Sequence, residues 1–342
     1  MAFITFELET LTPIFLAGAD QDGIELRPAT LKGLLRWWWR AEHADLSLDT
    51  LREREGELFG SADLGIKSPL RVSVAAEELK VIPAGTAAPK SGITYEYMRQ
   101  GRRGTTDVLP YLAYGPVRLL TREEKGRVER TREPAFWDKR QNRPKSGPLF
   151  IRPAIGPTTR FEVKLSWRDN VLQDNQQNEL VRAMAALVTL GGIGSRARKG
   201  FGAVTGRIKD ASSPALQRQT DEAWNRAVKE YLHNGEVLES RVPAFPLLKY
   251  RIVHIGPPTD SWQHALGTVG IVYKERRPKG ESRWIGGDAS PRRASSILLT
   301  VIRENGTFRG VITLLPCVRD DAGGGEDGMR QFVSEFQQWR IT

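Results

Sequence analysis

The stretch ITFELETLTPIFLAGADQDGIELRPATLKGLLRWWWRAEH, residues 4–43, contains the pattern on which the fold prediction depends. Apolar and polar residues alternate from Ile4 to Glu9, a period of two that indicates a strand with one buried face. A loop containing glycine and aspartate follows, and Thr30 is the predicted N-cap of a helix over about residues 31–44. The chain is therefore expected to open with a strand, a loop and a helix. The acidic start favours a strand over a signal peptide.

The order of the next elements predicts a fold class. Residues 70–76 and 159–167 read as strands, residues 178–190 as a helix that ends at Gly191, and residues 201–208 as a further strand. The resulting order is βαββαβ, which is typical of a ferredoxin-like, RRM-like domain. We predict an α+β chain whose first domain covers residues 1–210, with an insertion at about residues 78–148.

The remainder of the chain suggests a second unit of the same kind. Residues 211–240 are predicted to form a polar, helical linker. Residues 241–342 offer a strand, a helix, a hairpin that turns at Asn305 and Gly306, and a final helix. We expect a degenerate second ferredoxin-like domain over 241–342, so that two such domains stand in tandem.

The charge balance favours a polyanionic partner. The 342 residues include 51 Lys and Arg against 41 Asp and Glu, a net charge of +10. The segment from Arg99 to Lys145, within the predicted insertion, has 13 basic and 6 acidic residues and carries most of this excess. Nucleic acid is the expected partner, although chains rich in both charge signs also occur without one.

Cysteine and histidine usage argues against several other classes of site. Cys317 is the single cysteine, which excludes an intramolecular disulfide and a multi-cysteine zinc site and fits a reducing cytoplasm. The four histidines have no metal-ligand spacing, and no segment approaches 18 consecutive apolar residues. We expect no metal, no small-molecule cofactor and no membrane contact.

A helical projection separates residues 31–43 into two faces. The expected core face consists of Leu31, Leu34, Leu35, Trp38 and Ala41. The opposite face consists of Lys32, Arg36, Trp39, Arg40 and His43. Trp37 falls between the faces and is expected to pack under the insertion. The cations would neutralise phosphates and the indole of Trp39 would stack on a base, unless Trp39 merely covers the packing beneath it.

The second basic motif is GGIGSRARKGFG, residues 191–202. Its glycines allow positive φ angles and a close approach of ligand to backbone, while its cations attract anions. The motif is not a P-loop, because no Gly-Lys-Ser/Thr follows at the required spacing. It is not a dinucleotide fingerprint either, because it follows a predicted helix and precedes a strand, the reverse of that motif. The alternative is a glycine-rich turn that happens to be basic. In a ferredoxin-like fold the two helices pack on the same sheet face, so both basic motifs are expected to be neighbours.

Catalytic candidates are few. His43 shares the basic helix face and could act as a general acid or base in RNA cleavage that uses the RNA 2′-hydroxyl, although a surface histidine near a helix end is common. Asp20 and Asp22 precede the helix and could hold Mg²⁺ or activate a hydroxyl, although short acidic loops are usually turns.

The stretches IELRPATLKGLLRWWWRA (24–41) and GGIGSRARKGFG (191–202) resemble, in this order and predicted fold, the RAMP superfamily of CRISPR proteins. The second stretch is similar to the superfamily's glycine-rich loop, a Gly-hydrophobic-Gly followed by five residues and Gly. The first stretch and LPYLAYGP (109–116) resemble the first subunits of type III-B Cmr effector complexes.

The resemblance implies a non-catalytic, RNA-binding subunit that caps an RNA-guided RNA-targeting filament. It implies contact with the 3′ part of the guide CRISPR RNA, with the target RNA and with other RAMP subunits. The residues carried over as RNA-facing, with Trp39 added from the projection, are Lys32, Arg36, Trp39, Arg40, Gly192, Gly194, Arg196, Arg198, Lys199 and Gly200.

Two other functions remain open at this point. The chain could be a metal-independent endoribonuclease that processes CRISPR precursor RNA through His43. It could instead be a purely structural assembly subunit whose cations contact acidic partners. The resemblance implies that target RNA is cleaved by a different subunit of these complexes, which has an aspartate in the loop before its first helix. Asp20 and Asp22 occupy a comparable region of this chain.

Overall fold

The computed structural model describes residues 1–18, 23–99, 101–236, 247–278, 295–318 and 325–342. Within these ranges the protein is a mixed α+β chain built on small antiparallel sheets. This agrees with the predicted α+β class. The predicted boundary between the two domains, near residue 240, lies outside the described residues.

Eight helices are described, together with a 3₁₀ turn at Leu248–Tyr250. They are α1 (Pro28–Glu42), α2 (Leu48–Phe59), α3 (Val108–Leu112), α4 (Arg122–Thr131), α5 (Asp174–Leu190), α6 (Pro214–Tyr231), α7 (Trp262–Arg276) and α8 (Gly325–Gln337). The first helix does not use Thr30 as its cap. It begins at Pro28, whose fixed φ suits the first helical position, and Arg27 occupies the N-cap without a side-chain bond.

Fifteen strands are described in the same ranges. They are β1 (Ala2–Thr10), β2 (Arg71–Ala75), β3 (Val81–Ile82), β4 (Thr94–Arg99), β5 (Arg102–Asp107), β6 (Val117–Arg118), β7 (Trp137–Asp138), β8 (Arg143–Pro144), β9 (Leu149–Phe150), β10 (Ala154–Ile155), β11 (Arg160–Trp167), β12 (Val204–Ala211), β13 (Ile252–Ile255), β14 (Ile297–Glu304) and β15 (Thr307–Leu314).

The largest sheet comes from the first half of the chain. Its four strands lie in the order β12-β1-β11-β2, and every neighbouring pair is antiparallel. Ile4 of β1 pairs with Leu165 of β11, and both side chains are fully buried. The apolar face predicted for β1 is confirmed, because Phe6 and Leu8 are also buried and Glu7 and Glu9 are not, but Thr5, predicted on the other face, is buried as well. Helices α1 and α5 supply the other half of this core.

Helix α6 belongs to the same core and does more than connect two halves. Trp224 lies 5.6 Å from Phe6 between ring centroids, and the Tyr231 hydroxyl donates a 2.9 Å hydrogen bond to Glu42 of α1. Within the predicted linker, residues 214–231 form this helix, which packs as a structural element of the first half. The helix is polar in overall composition, but it has one buried face, which includes Leu216 and Ala227.

The predicted insertion is folded between β2 and β11. The segment between these two strands contains the hairpin β4-β5, helices α3 and α4, and six two-residue strands, β3 and β6 to β10, with a small core of its own around Leu120 and Val128. Val108 and Leu112 of α3 pack into a different core, which they share with α7 and with strands β14 and β15. The insertion thus connects the first half of the chain to the second.

The second half forms a three-stranded antiparallel sheet in the order β13-β15-β14. Strands β14 and β15 form the predicted hairpin, and Asn305 and Gly306 at its turn have φ angles of 49° and 81°. Two positive φ angles are what a two-residue hairpin turn requires, and an Asn-Gly pair accepts them readily. No helix in the described ranges is both long and apolar enough to cross a membrane.

Candidate nucleic-acid interface

A large groove lies where the first half, the insertion and the second half meet. Its volume is about 1750 Å³, and we call it the basic groove. Gly33 and Trp37 of α1, the loop after α5, the segment from α3 to α4, and the end of α7 all line it. The loop after α5, residues 191–202, is called the glycine loop below.

The lining of the basic groove is strongly cationic. Its basic residues are Arg118, Arg122, Lys125, Arg152, Arg196, Arg198, Lys199 and Arg277. Among the described residues that line it, none is Asp or Glu. Glu124 does not belong to the lining, but it forms an ion pair with Arg118, whose hydrogen bonds lower the pKa of the Glu124 carboxyl group to about 2. A concave surface lined by one sign of charge concentrates its field on an approaching polyanion.

Aromatic side chains stand among these cations. Trp37 is half-buried in the floor, with the Arg198 guanidinium 5.1 Å from its ring centroid. Tyr97 and Tyr114 line the groove with 41% and 63% of their surfaces exposed. Exposed aromatic faces beside cations are the combination that binds single-stranded nucleic acid, because every base can stack and every nucleotide carries a phosphate.

The glycine loop is built for tight internal packing. A Cβ at Gly194, where φ is +90°, would come within 2.6 Å of the Phe15 carbonyl oxygen, and one at Gly200, where φ is +83°, within 2.1 Å of Leu266. Ser195 donates its amide hydrogen to the Phe15 carbonyl at 2.9 Å. The glycines therefore let the loop approach its own chain. Gly192 and Gly194 line the groove, whereas Gly200 is buried and does not line it, so RNA contact by Gly200 stays a prediction.

The three predicted cations of the glycine loop, Arg196, Arg198 and Lys199, all line the groove. The ammonium of Lys199 donates a hydrogen bond to the hydroxyl of Tyr273 on α7 and lies 3.7 Å from the centroid of the Tyr273 ring. Burial, and then the like charges of Arg277, Arg196 and Arg198, lower the pKa of Lys199 to about 7.

The structure does not bring the basic face of α1 into this groove. Lys32 donates hydrogen bonds to the Ser68 hydroxyl at 2.7 Å and the Leu70 carbonyl at 3.1 Å, and burial, with the nearby charge of Arg36, lowers its pKa. Arg36 and Arg40 lie 2.7 Å and 3.5 Å from Oε1 of the buried Glu55. Helix α2 supplies Glu55 to this face, while the Arg36 and Arg40 side chains stay partly exposed. RNA contact by the three cations stays a prediction separate from the groove.

Trp39 lies in the core and not on the surface predicted for it. Its side chain is 0% exposed, and its indole N–H donates a 2.8 Å hydrogen bond to Glu179 of α5. The prediction that Trp39 stacks on RNA is wrong, because α2, which the projection of a single helix could not include, packs over the indole. Trp38 is buried as predicted. Trp37, expected under the insertion, instead forms part of the groove floor.

His43 lies beside Trp39 and away from the groove. Its ring stacks on Trp39 with centroids 4.3 Å apart, its Nδ1 lies 2.8 Å from the Trp39 carbonyl oxygen, and its Nε2 lies 3.5 Å from Glu179. Burial lowers the pKa of His43, but the hydrogen bonds to Glu179 and to the Trp39 carbonyl raise it further, so the net shift is upward. Both ring nitrogens thus have intramolecular partners.

The other two catalytic candidates are the aspartates before α1. Asp20 and Asp22 lie outside the described residues. In the part of the chain that is described, no group of three or more His, Cys, Asp or Glu side chains could hold a metal ion.

Several groove residues escaped the sequence analysis. Tyr114, Arg122 and Lys125 come from the insertion and Tyr273 from α7, far along the chain, so only the fold brings them to one groove. The positive insertion and the stretch LPYLAYGP, which supplies Tyr111 and Tyr114, were signals that could have identified part of this wall.

The comparisons with known proteins agree with this architecture. The family model of the RAMP superfamily matches residues 7–205, which is more than half of the chain. The chain therefore belongs to the RAMP superfamily. The match covers the four-stranded sheet from within β1 to the start of β12, and the glycine loop.

Particular relatives are more specific. A curated protein described as CRISPR system Cmr subunit Cmr1-2, from Pyrococcus furiosus, is 39% identical over 75 residues, 21% of this chain. The matched stretch spans 38% of that relative, little more than a third of its length.

Solved structures extend the likeness in fold to almost the whole chain. The crystal structure of Cmr1 from Pyrococcus furiosus in its apo form has a TM-score of 0.51 and 18% identity, covering 98% of this chain and 97% of its own. A chain of the cryo-EM structure of the type III-B Cmr-beta complex, bound to cognate target RNA and AMPPnP in the presence of ssDNA, has a TM-score of 0.50 and 12% identity. It covers 92% of this chain and 94% of its own.

Proposed function

We propose that this protein is a non-catalytic, RNA-binding subunit of a type III-B Cmr effector complex, in which it caps the filament. Its ligands would be the 3′ part of the guide CRISPR RNA and the target RNA, and its protein partners other RAMP subunits. The complex would act in the cytoplasm in antiviral defence. The chain would need no cofactor for this work.

The observation that carries the proposal is the lining of the basic groove. Eight cations surround Trp37, Tyr97 and Tyr114, and no carboxylate belongs to the described part of the lining. Phosphate contacts and base stacking tolerate any sequence, which suits a guide whose sequence varies. The similarity to Cmr1 supports the proposal that this binding takes place within a Cmr complex.

The topology supports two ferredoxin-like domains in tandem. In the first half, β1, β2, β11 and β12 take positions one to four of a βαββαβ unit, with α1 and α5 as its helices. In the second half, β13, β14 and β15 take positions one to three, with α7 and α8 as helices. The second unit would be degenerate because the described residues contain no fourth strand.

The endoribonuclease alternative gains no support from the geometry. None of the four histidines, all of which are described, lines the basic groove. His43 is held between Trp39 and Glu179 instead. A general acid or base must reach the reacting group, and at the groove no histidine can do so.

The test is purification of the tagged native chain with its partners, followed by ultraviolet crosslinking and mass spectrometry of peptide–RNA adducts. We expect other RAMP proteins and CRISPR RNA to co-purify, with crosslinks at Trp37, Tyr97 or Tyr114. Co-purified partners without any crosslink to this chain would favour the purely structural alternative. Discrete cleavage of repeat RNA in EDTA, lost in His43→Ala, would favour the endoribonuclease.

A further inference from the structure

One strand of the second half contacts the glycine loop at two points. Strand β14 is an edge of the sheet β13-β15-β14, and Lys199 of the loop forms a parallel β-bridge with Leu299 at that edge. The backbone amide of Leu299 donates a 3.2 Å hydrogen bond to the Arg198 carbonyl. The hydroxyl of the next residue, Thr300, donates a 2.8 Å hydrogen bond to the Gly191 carbonyl. The second half therefore holds both the start of the loop and its basic segment.

Thr300 is a polar side chain on an otherwise apolar face of β14. It is 1% exposed, and Leu298 and Ile302, which share its face of the strand, belong to the core of the first half. A buried hydroxyl group costs free energy unless it is hydrogen-bonded, and the Gly191 carbonyl accepts its hydrogen bond. The hydroxyl group of Thr300 thus holds Gly191, whereas the rest of the side chain packs as a valine would.

Gly191 is the point at which α5 ends and the glycine loop begins. It is the C-cap residue of the helix, so its carbonyl group has no partner within the helix. A Cβ at Gly191 would come within 2.7 Å of the Trp38 ring, which leaves no room for a side chain. The residue is therefore fixed by Trp38 of α1 and by Thr300 of β14. These two contacts set the direction in which the chain leaves α5.

Building on the proposed function, we propose that Thr300 is a positioning residue for RNA binding. Its bond to Gly191, together with the bond from Leu299 to the Arg198 carbonyl, fixes the conformation in which the glycine loop lines the basic groove. Thr300 does not line the groove, so it acts through the loop. A loop that is already ordered loses less conformational entropy when it binds a ligand. The second half thereby contributes to RNA affinity through a loop of the first half.

Fluorescence anisotropy of the full chain with a labelled oligouridine of about 15 nucleotides tests the proposal. Thr300→Val keeps the shape of the side chain and removes its hydroxyl group, so we expect RNA binding to weaken about fivefold, the fold-change that one hydrogen bond represents. The slope of log affinity against log salt should become shallower by at least about 0.7, the contribution of one cation that no longer contacts RNA. Thr300→Ser keeps the hydroxyl group and should bind as the wild type does.

Thr220→Val is the matched control. Thr220 is fully buried, and its hydroxyl donates a 2.7 Å hydrogen bond to the Leu216 carbonyl within α6, away from the groove lining. This variant should lose a similar amount of thermal stability and keep the wild-type affinity and salt slope. Hydrogen exchange separates the two variants directly. The Leu299 amide should exchange faster in Thr300→Val than in the wild type, and at the wild-type rate in Thr220→Val.

The outcomes separate the positioning role of Thr300 from the proposed function. Wild-type affinity or an unchanged salt slope in Thr300→Val would overturn the positioning role and leave the proposed function standing. An equal loss of affinity in Thr300→Val and Thr220→Val would also overturn it, because binding would then follow stability alone. Failure of the wild-type chain to bind the oligouridine would overturn both. Thermal unfolding of each variant confirms that it is folded at the temperature of the assay.

Discussion

The indole nitrogen of Trp39 donates a 2.8 Å hydrogen bond to Oε2 of Glu179 and so ties α1 to α5 in the core of the first half. Arg54 of α2 donates to the other oxygen of the same carboxylate at 2.6 Å. Three helices thus converge on one acidic side chain. This contact holds Trp39 in the core beside the buried Trp38, and of the three consecutive tryptophans Trp37 is the one that is half-exposed in the groove.

Trp39 and Trp37 should separate stability from binding. Trp39→Phe leaves Glu179 with one donor fewer and a smaller ring in the core, so we expect a loss of about 1–3 kcal/mol in the free energy of unfolding. RNA affinity should not change. Trp37→Leu keeps an apolar side chain but removes the flat face, and should weaken RNA binding by about 5- to 150-fold. Urea denaturation and fluorescence anisotropy measure the two effects, and the reverse pattern would return the stacking role to Trp39.

The salt dependence of binding should identify the cations that contact RNA. Each cation that displaces a counterion from single-stranded RNA contributes about −0.7 to the slope of log affinity against log salt. The double variant Arg122→Ala/Lys125→Ala, at the rim of the groove, should make the slope shallower by about 1.4. Arg36→Gln removes a charge outside the groove, while Arg40 still faces Glu55. Its slope should equal that of the wild type; an equal loss in both variants would argue for a binding strip along α1.

The pair of His43 and Glu179 should make stability depend on pH. The folded protein raises the pKa of His43 above its ordinary value, so its contribution is complete below about pH 6.5 and is lost as pH rises through the folded-state pKa. The unfolding free energy of the wild type minus that of His43→Gln should therefore fall between pH 6 and pH 8. The difference isolates His43 from Lys199, whose lowered pKa acts in the opposite direction. A flat difference would show that His43 is not protonated more readily in the fold.

Two glycines of the groove region should respond oppositely to alanine. Gly200→Ala places a Cβ within 2.1 Å of Leu266 at a φ of +83°, and we expect a loss of about 2–4 kcal/mol in the free energy of unfolding. Gly33 lies within α1, and a Cβ there would meet nothing within 4 Å. Gly33→Ala should stabilise the protein by about 0.5–1 kcal/mol, since alanine is the better helix former. Equal effects in thermal denaturation would contradict a packing role for the glycine loop.

Local patterns in the chain were sufficient for the elements. The strand from Ile4 to Glu9, the apolar-rich helix over residues 178–190 and the Asn305-Gly306 turn each depend on residues close in sequence, and the structure confirms all three elements, with the helix beginning earlier, at Asp174. The start of α1 was missed because Pro28 fixes the helix two residues before Thr30. Helix α6 was read as a linker because its polar residues outnumber its buried ones.

Strands and helices, the basic insertion and the basic glycine loop could all be predicted from the amino-acid sequence. Periodicity and charge are local properties, so they can be read without a fold. Which cations and aromatic rings share one surface depends on the packing of the whole chain. Helix α2 buries Trp39 and takes Arg36 and Arg40 to Glu55, while the insertion and α7 bring Tyr114 and Arg277 to the glycine loop. Such meetings depend on contacts between residues distant in the chain, which no single helix projection contains.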